Sequence, residues 1–276
     1  MMHDDYQVTP AAGEQEMFAR PTFYLRLSKP VVSRVLMGVL LVAFVVEIVY
    51  GVVQYGSWVT FGGTNIWVLV ELGAKVNLLI AAGEYWRLFT ATLLHSGIMH
   101  LLFNLYALFA LGPLLEAYVG PIRFLAIYLM AGLYGSLASY AFSDSVSVGA
   151  SGAIFGIIGA TTVYFFRYRD NFGAQARAVL QNMVVIIVIN LVFGLTAGSV
   201  DNWGHMGGLA GGALVAWGLL PRYRRPVAAV TGHHALEVEE RRFAEIGWVF
   251  LSFALFAVGV YVVTQNYQPQ LQQILN

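Results

Sequence analysis

Three short stretches of this 276-residue chain carry side chains that could do chemistry together. The first is Gly149-Ala150-Ser151-Gly152-Ala153-Ile154-Phe155-Gly156, where a serine sits among small residues at the start of an apolar run. The second is Trp203-Gly204-His205-Met206-Gly207-Gly208, and the third runs from His95 through His100 to Asn104. A serine hydroxyl is a weak nucleophile and attacks a carbonyl only when a base takes its proton. His205 is the base on offer. His100 and Asn104 are four residues apart and share one helix face. Taken singly, Ser151 reads equally as a turn residue and His205 as a structural hydrogen-bonder; taken together they point to acyl transfer by a Ser–His dyad.

Other hydrolytic chemistries lack their residues. There is no cysteine and no His-Glu-x-x-His pattern, so thiolate nucleophiles, disulfides and a zinc metalloprotease are excluded. The aspartates are Asp4, Asp5, Asp144, Asp170 and Asp201, all outside the apolar runs, which removes an aspartyl pair within a membrane. Asp201 reads as a helix cap, leaving His205 without an orienting carboxylate. Neither a metal nor an organic cofactor is expected. His233-His234 falls in a polar connector and reads as solvated loop. The formal net charge is zero, so no basic field points to nucleic acid.

The elements that must position these groups are membrane helices. The chain is 58% hydrophobic and 11% charged, far from the composition of soluble domains. Residues 1–33 read as a polar, mobile tail with neither signal peptide nor transit peptide. Apolar runs follow at about 35–53, 98–117, 122–142, 151–166, 178–196, 204–220 and 246–264, each near the length that crosses a bilayer. This gives an all-α polytopic bundle. A core of six spans covers 34–220, a cytoplasmic connector 221–245, a seventh helix 246–264 and an outer tail 265–276. Residues 54–90 mix aromatics with polar groups and suit the headgroup region, with a short helix near Ile66 to Leu72 as the alternative. Every Lys and Arg except Lys75 and Arg87 falls on the side of the N-terminus. The positive-inside rule therefore puts the N-terminus in the cytoplasm and the C-terminus outside.

That topology sets Ser151, His205 and the His100/Asn104 pair at the outer ends of three different spans. Polar groups at such depth are functional by default. A helix from Ser151 to Phe166 is only about 24 Å long, and Arg167 and Arg169 hold its far end at the inner surface. Its serine end must stop below the outer surface, where irregular backbone needs a cavity or protein around it. The free N–H groups at such a helix start suit a developing oxyanion. Glycines at 152, 156 and 159 on one helix, and at 204, 207, 208, 211 and 212 on the other, let the two backbones approach.

These stretches together resemble the rhomboid family of intramembrane serine proteases. The resemblance rests on Trp86-Arg87, His95, His100-x-x-x-Asn104, the GASGAIFG segment and Gly204-His205-x-x-Gly208, in the family's order across residues 35–220. It implies that Ser151 is the nucleophile and His205 the general base. It also implies that His100 and Asn104 support the oxyanion beside the backbone around Gly149 and Ser151, and that Phe155 packs against the catalytic histidine. The seventh helix resembles the form of the family with an added C-terminal span.

The resemblance further implies cleavage of transmembrane protein substrates in or near their membrane helix, after a small residue. Access would be gated by residues 190–203 and the first loop. Glu116 resembles a structural glutamate of the family, and Glu47 receives no role. A prokaryotic plasma membrane, with the site opening outward, is the expected location; no oligomeric state follows. The alternative is a catalytically silent relative that binds and sorts transmembrane clients. A channel is disfavoured because the inner halves of the fourth and sixth spans are almost wholly apolar.

Overall fold

The computed structural model describes residues 22–56, 64–197, 200–227 and 233–275. The expected tail before residue 22, positions 57–63 of the first loop, and residues 198 and 199 of the expected gate lie outside them. The chain divides into two units, Met1–Leu27 with Pro221–Arg241, and Ser28–Leu220 with Arg242–Asn276.

In the first unit, β1 (Thr22–Tyr24) pairs in parallel with β3 (His233–Ala235), and β2 (Tyr223–Arg224) pairs antiparallel with β4 (Glu237–Val238). An Arg224–Glu237 ion pair at 3.0 Å joins β2 to β4, and the Arg225 guanidinium lies over the Phe23 ring. This corrects two expectations. The end of the N-terminal tail is a strand, and so is the connector segment holding His233 and His234. Strands of two or three residues are too short to show an alternating pattern, so no periodicity announces them.

The second unit is helical. Its long helices are α1 (Val32–Tyr55), α5 (Ile98–Val119), α6 (Pro121–Phe142), α7 (Ser151–Arg167), α9 (Ala174–Ala197), α10 (Asn202–Leu219) and α11 (Arg242–Leu275). Short pieces connect them: α2 (Ile66–Leu72), α3 (Asn77–Ala81), α4 (Arg87–Thr90) and α8 (Arg169–Phe172). Among the described residues, α1, α5, α6, α9 and α11 are long and apolar enough to cross a membrane. The other two expected spans differ. α7 has 17 residues, and the 18-residue α10 is rich in glycine. Residues 265–275, expected as a tail, continue α11.

The first loop is more structured than its sequence suggests. α2 forms at Ile66–Leu72, with the Asn65 side chain accepting from Trp67 N–H at its start. Lys75 and Arg87, counted as charges of the outer side, are buried. Arg87 bonds the Val70 and Ala74 carbonyls and Glu84, with its guanidinium 4.7 Å from the centre of the Trp86 ring. Charge counting cannot distinguish such a brace from a surface cation.

Glu116 is fully buried near the end of α5, where its carboxylate accepts the N–H groups of Val31, Val32 and Ser33 at 2.7–2.8 Å. These are orphan donors at the start of α1. Glu116 therefore has a structural role, fixing α1 to α5.

The core is the packing of α6, α7 and α10. Glycines make it possible. A Cβ at Gly208 would fall on Gly152 O, one at Gly212 on the Gly156 backbone, and one at Gly159 on Leu209 O. The helices bearing Ser151 and His205 thus touch backbone to backbone.

Candidate active site

Ser151 is the first residue of α7, after a loop that ends in Gly149. Gly149 donates its N–H to Ala91 O at 2.8 Å and has φ of +127°, a conformation open mainly to glycine. There is no room for a side chain either. A Cβ there would lie 2.8 Å from His100 Nε2 and 3.8 Å from Ser151 Oγ. The His100 ring and the serine hydroxyl therefore border the same glycine. Among the described residues, the N–H groups of Ser151 and Gly152 have no backbone acceptor, as the first turn of a helix requires.

Hydrogen bonds fix the tautomer of His100. Ser96 N–H donates to Nδ1, at 3.4 Å, and Ser96 Oγ lies 3.0 Å from the same atom. Nδ1 is thus the acceptor, and a neutral ring carries its proton on Nε2, the nitrogen facing Gly149. Asn104 is buried one turn further along α5 and donates to His100 O at 2.9 Å.

His205 is buried in the first turns of α10, its ring stacked on Phe155 with centroids 4.2 Å apart and planes at 9°. Phe155 follows Ser151 by one turn of α7, so it carries the imidazole towards the serine end of that helix. No hydrogen bond joins Ser151 Oγ to His205, and His205 Nδ1 is buried without a partner among the described residues. Asp201 does not orient the ring. Its carboxylate accepts Gly204 N–H at 2.9 Å and the Ser139 hydroxyl, capping α10 as its sequence position suggests.

A partly open cavity of about 30 Å³ has Ser151 in its wall. Lys75, Thr92, Ser136, Ser139, Ser147 and Asp201 are among its polar lining. It has the size and polarity to hold one or two water molecules.

Sequence reasoning gave Glu47 no role, although a lone carboxylate in a membrane helix is a signal in itself. Glu47 is fully buried in α1 and accepts His95 N–H at 3.0 Å. The His95 ring in turn packs edge-on against His100, with centroids 5.2 Å apart. Glu47 thus anchors the segment that leads into α5.

Helix after helix of apolar residues, with buried polar groups gathered at one end of three of them, defines an integral, all-α, polytopic membrane protein. The family model of the Rhomboid domain matches residues 82–222, just over half of the chain. The chain belongs to the rhomboid family. It is 50% identical over 162 residues to Rhomboid protease GluP of Bacillus subtilis (strain 168), covering 58% of this chain and 31% of that protein. It is 39% identical over 164 residues to RHOMBOID-like protein 5 of Arabidopsis thaliana, covering 58% and 52%. To Rhomboid-like protease 1 of Toxoplasma gondii it is 37% identical over 152 residues, covering 51% and 50%. The chain thus spans between about a third and a half of the length of these relatives.

Proposed function

We propose that this protein is an intramembrane serine endopeptidase that cleaves transmembrane proteins in or near their membrane helix. The observation that carries this reading is the grouping of Ser151, His100 and the Phe155-stacked His205 around the start of one short helix. Relatives named as rhomboid proteases support it.

In this mechanism His205 takes the proton of Ser151 Oγ as that oxygen attacks the scissile carbonyl. The carbonyl oxygen becomes an oxyanion, which accepts hydrogen bonds from the Ser151 N–H and the His100 Nε2–H, with Asn104 beside them. The imidazolium of His205 then protonates the leaving amine, and an acyl-serine remains. A water molecule, deprotonated by His205, attacks that ester. Collapse of the second tetrahedral intermediate returns the proton to Ser151 and frees the new carboxylate. Among the described residues no carboxylate is hydrogen-bonded to His205 Nδ1, so a dyad suffices for the reading.

The seven-helix topology has the N-terminus in the cytoplasm, the C-terminus outside and the site opening outward, in a prokaryotic plasma membrane. Substrate would reach the site past the outer end of α9, whose Val192, Phe193 and Leu195 are exposed. The test is Ser151→Ala in the full chain. It should abolish cleavage of a reporter transmembrane protein and labelling by a fluorophosphonate while the fold persists. Undiminished cleavage sinks the proposal, and an unreactive Ser151 in folded wild-type protein favours the silent, client-binding alternative.

A further inference from the structure

Lys75 is a buried cation that the proposed reaction does not use. It is 1% exposed and sits between α2 and α3, within the first loop. Its Nζ donates to Ser143 O at 2.7 Å, Ser145 O at 2.8 Å and Asn77 Oδ1 at 2.9 Å, with Ser139 O at 3.3 Å. All four neighbours are acceptors, and three short contacts match the three protons of an ammonium. Two of the carbonyls belong to the last turn of α6 and the residue after it, where a cation is favoured.

The main chain of the same residue makes a second attachment. Lys75 N–H donates to Ser147 O at 3.0 Å, and Ser147 N–H returns the bond to Lys75 O at 3.2 Å. One residue thus pins the 143–147 segment at 143, 145 and 147. Two residues later Gly149 is fixed by Ala91, and Ser151 opens α7. Lys75 also lines the same cavity as Ser151, together with Asp201, the residue capping the helix that bears His205.

α11 joins this cluster. Tyr267 accepts from Asn77 Nδ2 at 2.6 Å, donates to Tyr140 O at 3.1 Å, and stacks on the Tyr140 ring. Asn77 is the same residue whose side-chain oxygen accepts a hydrogen bond from Lys75 Nζ. A path of direct contacts therefore runs from the last helix to the loop that delivers the nucleophile.

We propose that Lys75 is the positioning residue of the Ser151 loop, and that Tyr267 ties α11 into the same cluster, giving the last helix a part in catalysis. The proposal rests on reading Ser151 as the nucleophile. The charged groups facing the ammonium are Asp144 and Asp201, and burial against their pull brings Lys75 down to about 8.

The experiment measures fluorophosphonate labelling of Ser151 per folded molecule, with kcat and KM for a reporter substrate, in wild type, Lys75→Met and Tyr267→Phe. Misplacing a nucleophile is expected to lower the labelling rate and kcat of Lys75→Met about 10–100-fold at unchanged KM. Losing one hydroxyl in Tyr267→Phe should lower both about 2–10-fold. The wild-type rate should fall as pH rises through about 8, and Lys75→Met should lack that limb. A folded Lys75→Met that labels at the wild-type rate, or keeps the limb, overturns the proposal. Should Lys75→Met not fold, Tyr267→Phe decides the matter, and a wild-type rate there overturns it equally. If Ser151 of wild type itself is not labelled, the nucleophile reading fails and takes this proposal with it. A labelled wild type with an equally reactive Lys75→Met defeats the Lys75 role alone.

Discussion

The His205 imidazole lies flat on the Phe155 ring, with centroids 4.2 Å apart and planes inclined by 9°. The two residues come from α10 and α7, which glycines bring into backbone contact. The stack holds the imidazole plane without any carboxylate. Phe155→Leu keeps apolar volume but removes the face. A stacked aromatic pair is worth about 0.5–1.5 kcal/mol, so kcat is expected to fall about 2–12-fold with KM unchanged. Steady-state kinetics on a reporter substrate checks this, and a raised KM at constant kcat would speak for a substrate-binding role instead.

Gly149 is bordered by His100 on one side and Ser151 on the other, at φ of +127°. Gly149→Ala meets both backbone strain, about 1–3 kcal/mol, and a collision with the His100 ring. His100→Ala removes the Nε2–H donor and, with the ring, its contacts with His95 and Ser96, but adds no backbone strain. Loss of one oxyanion donor lowers kcat about 10²–10³-fold, so His100→Ala should fall in that range with a smaller drop in melting temperature than Gly149→Ala. Gly149→Ala should lose comparable activity and melt lower. Equal melting temperatures for the two variants would contradict the strain argument.

Glu116 serves stability rather than chemistry, since its carboxylate satisfies three N–H groups at the start of α1. Glu116→Ala leaves them without a partner, at about 1–3 kcal/mol for the buried Ser33 N–H and less for the part-buried Val31 and Val32 N–H groups. Thermal unfolding in detergent should show a drop of many degrees. Activity per folded molecule, measured well below the transition, should stay within a factor of a few. Glu116→Gln, which keeps an acceptor oxygen, should fall between.

Lys75 gives stability a pH dependence opposite in sign to its proposed effect on rate. Burial depresses the native value to about 8, below the ordinary lysine value of 10.5. Between these two values the unfolded chain binds a proton that the native protein does not, so stability rises with pH across that window. Below about 8 both states are protonated and the contribution is constant. Chemical denaturation in detergent at pH 7.5 and 10 should show this increment in wild type and not in Lys75→Met.

The candidate site of this protein was legible in its sequence because each group advertises itself by being in the wrong solvent. Ser151, His205, His100 and Asn104 stand out in apolar runs, and the length of those runs gives the helices. Glycine spacing likewise revealed which two helices approach, since close packing in lipid depends on missing side chains. Asp201 as a cap was readable from local residue types alone, whereas the helix at Ile66–Leu72 was only the alternative to a loop.

Other relationships required the folded chain. Glu47 and His95 are 48 residues apart, Lys75 and Ser143 68, and Asn77 and Tyr267 190. No local pattern encodes such partners, because a buried charge is defined by what surrounds it. The same holds for Lys75 and Arg87, which read as surface cations until neighbouring carbonyls are seen to enclose them. The short strand pairs of the tail and connector have too few residues to carry a period. The sequence by itself determined the long apolar helices and the candidate reactive groups, through hydropathy and residue type. Tertiary structure alone decided the stacking of His205 on Phe155 and the bracing of the Ser151 loop by Lys75. Each depends on an atom contributed from far along the chain.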